Sequence, residues 1–350
     1  MPRDNSKITS SRPLAGSFGD PDGFLFSCRG TVYRRVNFTY KENYDHLMSS
    51  GLYSSLVDSG LLVPHEEEGA DSAEEGRAYK ILKPRSIPFI SYPYEWCFSQ
   101  LRAAALATLQ IQKEALRFGM TLKDGSAYNV QFIGAQPVLS FEKYREGSPW
   151  IAYRQFCQHF LCPLALMSYR DIRLNQLLRV HLDGIPLDLA SSILPLRTYF
   201  RFSLLSSIHL HARSQEHFAD KGVNARSRRM SRVTLLALID NLEASLHNLK
   251  CSLPRTAWGN YYDEDSKYSA DALLHKKSLV GEFLDQVSPQ TVWDFGANTG
   301  LFSRVASQRG IYTVSFDMYP VCVERNYLQS AKAGEANILP LLLDLTNPSP

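Results

Sequence analysis

At 350 residues with 44% hydrophobic and 21% charged content, the chain carries enough apolar material for folded cores, and wholesale disorder is excluded. A formal net charge of +3 is too small and too scattered to grip a polyanion, so no nucleic-acid partner is expected. At roughly 100–200 residues per domain, the length predicts two or three domains.

Residues 1–22 are polar and rich in Ser, Pro and Gly, which reads as a flexible arm. They contain no apolar signal-peptide core, and no later run reaches the roughly 18 apolar residues of a bilayer span. The chain therefore reads as cytoplasmic, with no membrane partner. "GFLFSCRGTVYRRVN" (23–37) has strand content around a Gly turn. Residues 42–63 predict a helix through Leu47, Leu52, Leu56 and Leu61-Leu62-Val63, and "HEEEGADSAEEGR" after it predicts a solvated surface loop. "AYKILKPRSIPFISYPYEW" alternates apolar residues with prolines, as edge strands and a turn do. Leu101, Ala105, Leu109, Gln112 and Leu116 then share one helix face, and Gly119 ends that helix.

Residues 150–250 are predominantly helical by apolar spacing, with breaks at Pro163, Gly184-Ile185-Pro186 and Pro195. The one basic run there, Arg226, Arg228, Arg229 and Arg232, reads as a solvated helix face. A linker over 251–270 leads to a helix at about 270–287. The six cysteines, Cys28, Cys97, Cys157, Cys162, Cys251 and Cys322, form no CxxC pair and no His/Cys cluster at zinc spacing. They read as buried free thiols, and no metal site is predicted.

The most informative stretch is "TVWDFGANTGLFSRVASQRG", 291–310. Val292 and Trp293 precede Asp294, placing the acid at the carboxyl end of a short buried strand. Gly296, Ala297, Asn298, Thr299 and Gly300 form a turn, and Leu301, Phe302, Val305 and Ala306 follow at helical spacing. Glycines let the backbone turn tightly and approach a ligand, and a helix start adds unpaired N–H groups. "IYTVSF" (311–316) is a second apolar run ended by Asp317, which lies 21 residues after Gly296 and is placed to accept from ribose hydroxyls. A third run, "ILPLLLDLT", ends in Asp344. Strands finishing in acids and alternating with helices predict an open parallel sheet that binds a ligand at its carboxyl ends.

Asp294, Gly296 and Gly300 match D-x-G-x-x-x-G, and here the sequence resembles the class I S-adenosylmethionine-dependent methyltransferases. The resemblance implies an α/β, Rossmann-like sheet and S-adenosylmethionine as cofactor. Asp294 and Gly296 would border its methionine part, with Asn298 and Gly300 in the same turn, Asp317 its ribose, and Asp344 with Leu345 its adenine. Trp258, Tyr261, Tyr262 and Tyr268 would supply a lid and Lys276 a polar contact; surface and hinge packing is the plainer reading of these five. Only the first three strands of such a sheet are present. The chain thus reads as C-terminally truncated or completed by a partner chain, with its first strand left as an apolar edge.

"FGMTLKDGSAYNVQFIGAQPVLSFEKY" (118–144) carries Asp124 and Asn129 as D-x-x-x-x-N, then a hairpin turning at Gly134-Ala135. This order is similar to the catalytic loop of protein-kinase-like and aminoglycoside-phosphotransferase-like folds. There the Asp orients the acceptor hydroxyl and the Asn binds magnesium. Here Ser140, Phe141 and Glu142 stand where an Asp is expected, no Gly-rich loop precedes, and Lys80 and Lys83 are the loose candidates for the phosphate lysine. The resemblance implies a mixed α+β, largely helical, kinase-like region over 23–250 with a vestigial phosphotransfer site; a plain turn capped by Asp and Asn is the alternative.

A kinase-like region followed by a methyltransferase half-domain at 271–350 resembles one bacterial group that includes host-specific nodulation proteins of rhizobia. The expected function is methyl transfer from S-adenosylmethionine to an unidentified acceptor, with no catalytic residue assigned. The rival is a non-catalytic nucleotide- or partner-binding scaffold; a third reading is an inert fragment.

Overall fold

A computed structural model describes residues 12–14, 17, 20–68, 78–140, 144–146, 150–211, 230–253 and 269–349. The fold is mixed α/β, with several small sheets and many helices.

Five antiparallel strands open the chain: β1 (Arg12–Pro13), β2 (Gly23–Cys28), β3 (Thr31–Asn37), β4 (His65–Glu68) and β5 (Ala78–Pro84), ordered β1-β2-β3-β5-β4. The β2–β3 hairpin turns at Arg29 (φ 50°) and Gly30 (φ 79°), the two left-handed residues that match a turn to the strands' twist. Two expectations are corrected here. Ala78–Pro84 lies inside the sheet between β3 and β4, because the partner that covers it comes earlier in the chain. The start of the acidic loop is that partner: His65–Glu68 is the outer strand, its acids tolerated because an edge strand faces water, and Glu67 pairs with Lys80. The remainder of the loop lies outside the described residues.

The predicted helix over 42–63 is two helices, Lys41–Ser49 and Leu52–Asp58, broken at Gly51 (φ 89°), which no other residue type adopts cheaply. Leu62 leaves them to bridge Leu139.

Phe98–Arg117 is the axial helix, buried on nearly every side and ended at Gly119 (φ 75°). Its buried Gln112 donates to the Thr121 hydroxyl at 2.9 Å and accepts the Leu122 N–H at 2.8 Å, which fixes β6 (Met120–Leu122) against it. The hairpin of β7 (Val130–Ile133) and β8 (Gln136–Leu139) turns at Gly134 (φ 58°) and Ala135, and β9 (Tyr144–Glu146) pairs with β6. Beyond it, Pro163 does not break the chain's helical course: Tyr153–Phe156, a π-helical turn Cys157–Leu161 and Cys162–Tyr169 run on without interruption. Pro163 sits in the first turn of the last piece, and the widened π turn before it absorbs the missing N–H. Arg226, Arg228 and Arg229 lie outside the described residues, as do the four linker aromatics, while Arg232 begins the helix Arg232–Asn248.

The helix Ala270–Val287 leads into β10 (Thr291–Phe295), β11 (Tyr312–Asp317) and β12 (Ile338–Leu342), a parallel sheet ordered β10-β11-β12 with helices Ser303–Ser307 and Pro320–Ala333 in the crossovers. β12 is buried throughout, whereas β10 is half-exposed. β10 is the apolar edge expected of a sheet with three strands, and the buried setting read from Val292-Trp293 is corrected: Trp293 is 56% and Phe295 49% exposed. The expected helix from Leu301 is the short Ser303–Ser307, after turns. β12 stops at Leu342, so Asp344 lies two residues past the strand rather than on its end.

The two parts of the chain share one apolar core, in which Leu101, Leu109 and Phe132 join Val323, Tyr327 and Leu341. Buried Glu324 accepts the Ser99 N–H (2.9 Å) and hydroxyl (2.5 Å), a carboxylate capping the start of the axial helix. Gln100 donates to the Pro340 carbonyl of β12 (2.9 Å), and Tyr327 to the Ala135 carbonyl (3.1 Å). All six cysteines are free, and burial pushes the thiols of Cys157 and Cys322 up to about 12.

Candidate functional site

The site grows from one carboxylate. Asp317, at the carboxyl end of β11, is buried, yet it lines a cavity of about 470 Å³. Its Oδ2 accepts the Asn298 N–H of the turn after β10, and its Oδ1 accepts the Tyr319 N–H of the turn after β11, both at 2.8 Å. Its own carbonyl accepts the Leu343 N–H beyond β12 at 3.0 Å. One residue thus joins the exits of all three strands, and each carboxylate oxygen keeps a further lone pair for a ligand.

The turn that faces it is strained in the way its sequence requires. Gly296 (φ 78°) and Asn298 (φ 52°) are left-handed, and the N–H groups of Gly296 and Ala297 both reach the Phe316 carbonyl at 2.9 Å. A Cβ at Gly296 would meet nothing within 4 Å, so its surroundings are open to a ligand. Gly300 differs: a Cβ there would fall 2.4 Å from Asn326 Oδ1 and 2.7 Å from an Arg304 guanidinium nitrogen. That glycine serves internal packing. Buried Arg304 donates to the Thr299 carbonyl (2.7 Å) and to the Ser330 hydroxyl (3.1 Å), tying the turn to the last crossover helix, and pairs with Glu335 just beyond it (3.0 Å).

Of the residues singled out in the sequence, Gly296, Asn298, Asp317, Asp344 and Leu345 line this cavity together. Asp294 and Gly300 stand behind it. Asp294 accepts the Ser303 hydroxyl at 2.6 Å, and Ser303 in turn meets Ser315 at 2.9 Å. Burial pushes the Asp294 carboxyl up, the Ser303 hydrogen bond pulls it back, the Asp317 charge raises it and Lys276 lowers it. Lys276 lies over the Phe302 ring at 4.6 Å. Asp344 is exposed and accepts the Thr346 N–H and hydroxyl, which hold its carboxyl below the usual range. Residues not singled out complete the walls: Phe295 stacked on Phe316 (5.3 Å between centroids), Met318, Tyr319, Leu343 and Thr346. They immediately precede or follow the strand-end acids and turn residues, and that adjacency was the available signal. A second cavity of about 440 Å³ adjoins at Met318, Leu343 and Asp344, with Tyr94, Gln176 and Arg179 as its opposite wall.

Asp124 and Asn129 lie elsewhere, in the segment between β6 and β7. Asp124 accepts the Ser126 N–H at 2.9 Å, and Asn129 ends a 3-10 turn whose carbonyl accepts both the N–H (3.0 Å) and the hydroxyl (3.2 Å) of Ser140. Lys123 pairs with Asp22 at 2.5 Å. Behind this loop His159 is buried with no hydrogen-bond partner at either ring nitrogen among the described residues. Burial pulls it down to about 4, against the charges of Asp124 and Asp183. Phe141 and Glu142 fall outside the described residues.

No protein-family model matches the chain. The sequence is 33% identical over 362 aligned positions to nodulation protein NoeA of Rhizobium meliloti (strain 1021), an alignment covering 99% of this chain and 75% of that protein. At that identity and coverage, the chain belongs to the family of nodulation protein NoeA.

Proposed function

We propose that this chain binds S-adenosylmethionine at the carboxyl ends of β10–β12 and is a methyltransferase for an acceptor that its described residues do not identify. The observation that carries the reading is Asp317, a buried acid open to a cavity at the one point where three parallel strand exits meet. Ligands of open parallel sheets bind outside the carboxyl ends of the strands, and the Rossmann-like class is the finer reading of this sheet.

The residues fit the cofactor. A cavity of about 470 Å³ lies within the range of small-molecule sites, roughly 300–1,000 Å³. Asp317 offers acceptor lone pairs to a ribose diol, while Met318, Tyr319, Leu343 and Leu345 offer apolar surface to a base. Gly296 leaves room for backbone approach, and Lys276 stands near the turn for the charged methionine end, with Asp294 behind the turn steadying Ser303. The sulfonium supplies an already activated methyl group, so the protein's task is orientation and exclusion of water. Buried Phe316, with Phe295 stacked on it, provides an apolar wall for that purpose.

Calorimetric titration with S-adenosylhomocysteine, which has no methyl to transfer, tests this without an acceptor. Micromolar binding is expected, weakened about tenfold or more in Asp317→Asn, since a ribose hydroxyl loses a charged partner worth roughly 1.5–3 kcal/mol. Asn keeps one acceptor oxygen, so the turn is spared more than by Ala. A folded chain that binds nothing would sink the proposal.

A second reading concerns residues 20–146. Strand order β3-β5-β4 with two helices between β3 and β4, then the axial helix, the β6–β9 pair and the β7–β8 hairpin flanking Asp124 and Asn129, supports the reading of a protein-kinase-like scaffold. Asp124 is occupied in capping its own turn, and Ser140 stands where a metal-binding acid would follow the hairpin. We therefore infer a non-catalytic scaffold there. Magnesium-dependent phosphoryl transfer from ATP that is abolished in Asn129→Ala would overturn that inference.

A further inference from the structure

The segment Leu196–Phe202 is independent of the sheet and of the proposed cofactor. A 3-10 turn over Leu196–Phe200 runs into the short helix Phe202–Leu204, anchored inward by Thr198 and Leu204. The Thr198 hydroxyl donates to the Pro195 carbonyl at 2.7 Å and meets His209 Nε2 at 2.9 Å, so the backbone is held. Outward, the same turn presents Leu196 at 81%, Phe200 at 88% and Phe202 at 73% exposure. Large apolar side chains gathered in water on one turn mark an interaction surface.

Their neighbours are cations. Arg197 and Arg201 alternate with them in sequence and are both exposed. With Lys250 they line an open groove of about 860 Å³ beside Phe200, a groove to which no acidic residue contributes among the described residues. Arg197 is steadied over the Tyr169 ring at 5.2 Å.

We propose that this surface docks the protein on an anionic lipid layer, with Leu196, Phe200 and Phe202 entering the acyl boundary and Arg197, Arg201 and Lys250 meeting headgroup phosphates. Charge complementarity asks for an anionic partner. Shape decides which: at 73–88% exposure the apolar side chains protrude beyond the cavity of about 400 Å³ that Phe200 and Phe202 flank, so the matching phase must deform around them, as acyl chains do. Arginines beside the wedge sit where headgroups would lie. Among the described residues no helix is long and apolar enough to cross a membrane, and the mode proposed is attachment at the surface.

Vesicle flotation of the full chain tests this, using phosphatidylcholine alone and phosphatidylcholine mixed with phosphatidylglycerol. Retention on the mixed vesicles only is expected, weakening about fivefold for each of Arg197→Ala and Arg201→Ala. Phe200→Ser/Phe202→Ser should lose retention while melting at the wild-type temperature, since both rings are in water already. Equal retention on neutral vesicles would overturn the proposal, as would indifference to the Phe pair. So would displacement by inorganic phosphate at the headgroup concentration, or tighter binding to an oligonucleotide or acidic peptide than to the vesicles; each would make this a soluble-anion or macromolecule site.

Discussion

The two edges of the parallel sheet have opposite surroundings. β12 is covered: its residues are buried, Gln100 bonds its backbone, and Glu324 and Tyr327 from the adjoining crossover helix bond the axial helix and the β7–β8 turn. Even Gly134 belongs to this seam, because a Cβ there would press within 2.7 Å of the Ala336 carbonyl. On β10 Trp293 meets Phe89 at 5.7 Å and Phe316 at 6.1 Å between ring centroids, and the strand is otherwise half in water. The lesson is that Asp317, on the central strand, stands on a rigid floor on one side and beside an open flank on the other. Ligand geometry on the β12 side should be fixed by folding, while the β10 side is free to accept what docks there.

The largest effect should come from unsealing the covered edge. Glu324→Leu leaves the Ser99 N–H and hydroxyl buried without their carboxylate and removes a negative charge from a helix start. A loss of roughly 3–4 kcal/mol is expected in urea unfolding. If Glu324→Leu is neutral, the seam is incidental packing.

Acid should destabilise the chain at a different place, behind the Asp124 loop. His159 lies in the π-helical turn packed on the axial helix, and burial lowers it to about 4 from an ordinary value near 6.5. A depressed histidine means that the unfolded chain takes up the proton first as pH falls. The folded state therefore keeps this contribution above about pH 6.5 and loses it progressively down to about pH 4, by up to about 3 kcal/mol. Melting curves across that window should steepen in the wild type and flatten in His159→Leu. A pH dependence unchanged by the substitution would assign the effect to other groups.

The two glycines of the β10 turn sharpen the contrast between floor and flank. Gly300→Ala forces a Cβ into Asn326 and Arg304 at φ 81°, and should cost about 2 kcal/mol or more of stability. Gly296→Ala adds a methyl to open space at φ 78° and should cost only about 1 kcal/mol, yet weaken S-adenosylhomocysteine binding more than Gly300→Ala does. The reverse ranking would move the ligand away from Gly296.

Which parts of this were legible in the sequence follows from the range of the signals. The β2–β3 hairpin, the axial helix and the strand–turn–helix at 291–307 are written in neighbouring residues, through turn glycines and apolar periods. Gly296, Asn298 and Asp317 could be placed in one site because strand-end positions in a parallel sheet converge whatever the rest of the chain does. β4 was hidden because an outer strand can consist of His-Glu-Glu-Glu, whose charges mimic a loop. Ala78–Pro84 was assigned to an edge because its prolines are local, whereas its outer partner is decided by pairing. The Ser99–Glu324 seam joins residues 225 apart and left no mark that a single sequence displays. Asp294 was grouped with the ligand contacts by its motif, while Ser303, nine residues on, draws its carboxylate into a layer behind the cavity.

The smallest effect on stability tests the open edge itself. Trp293 is 56% exposed, so Trp293→Lys should change the unfolding free energy by about 0.5–1 kcal/mol at most. Its effect on association should be larger than its effect on folding. An apolar edge strand with unpaired N–H and C=O groups invites another strand, and a lysine is the residue that proteins place on such edges to refuse one. Sedimentation velocity over a concentration series should show self-association of the wild type that Trp293→Lys suppresses, at an unaltered melting temperature. If the wild type stays monomeric throughout, Phe89 and the flanking helix already shield the edge, and β10 is protected in a different way from β12 rather than left open. If association persists in the variant, copies meet through another surface, and the exposed Leu196–Phe202 turn becomes the one to mutate next.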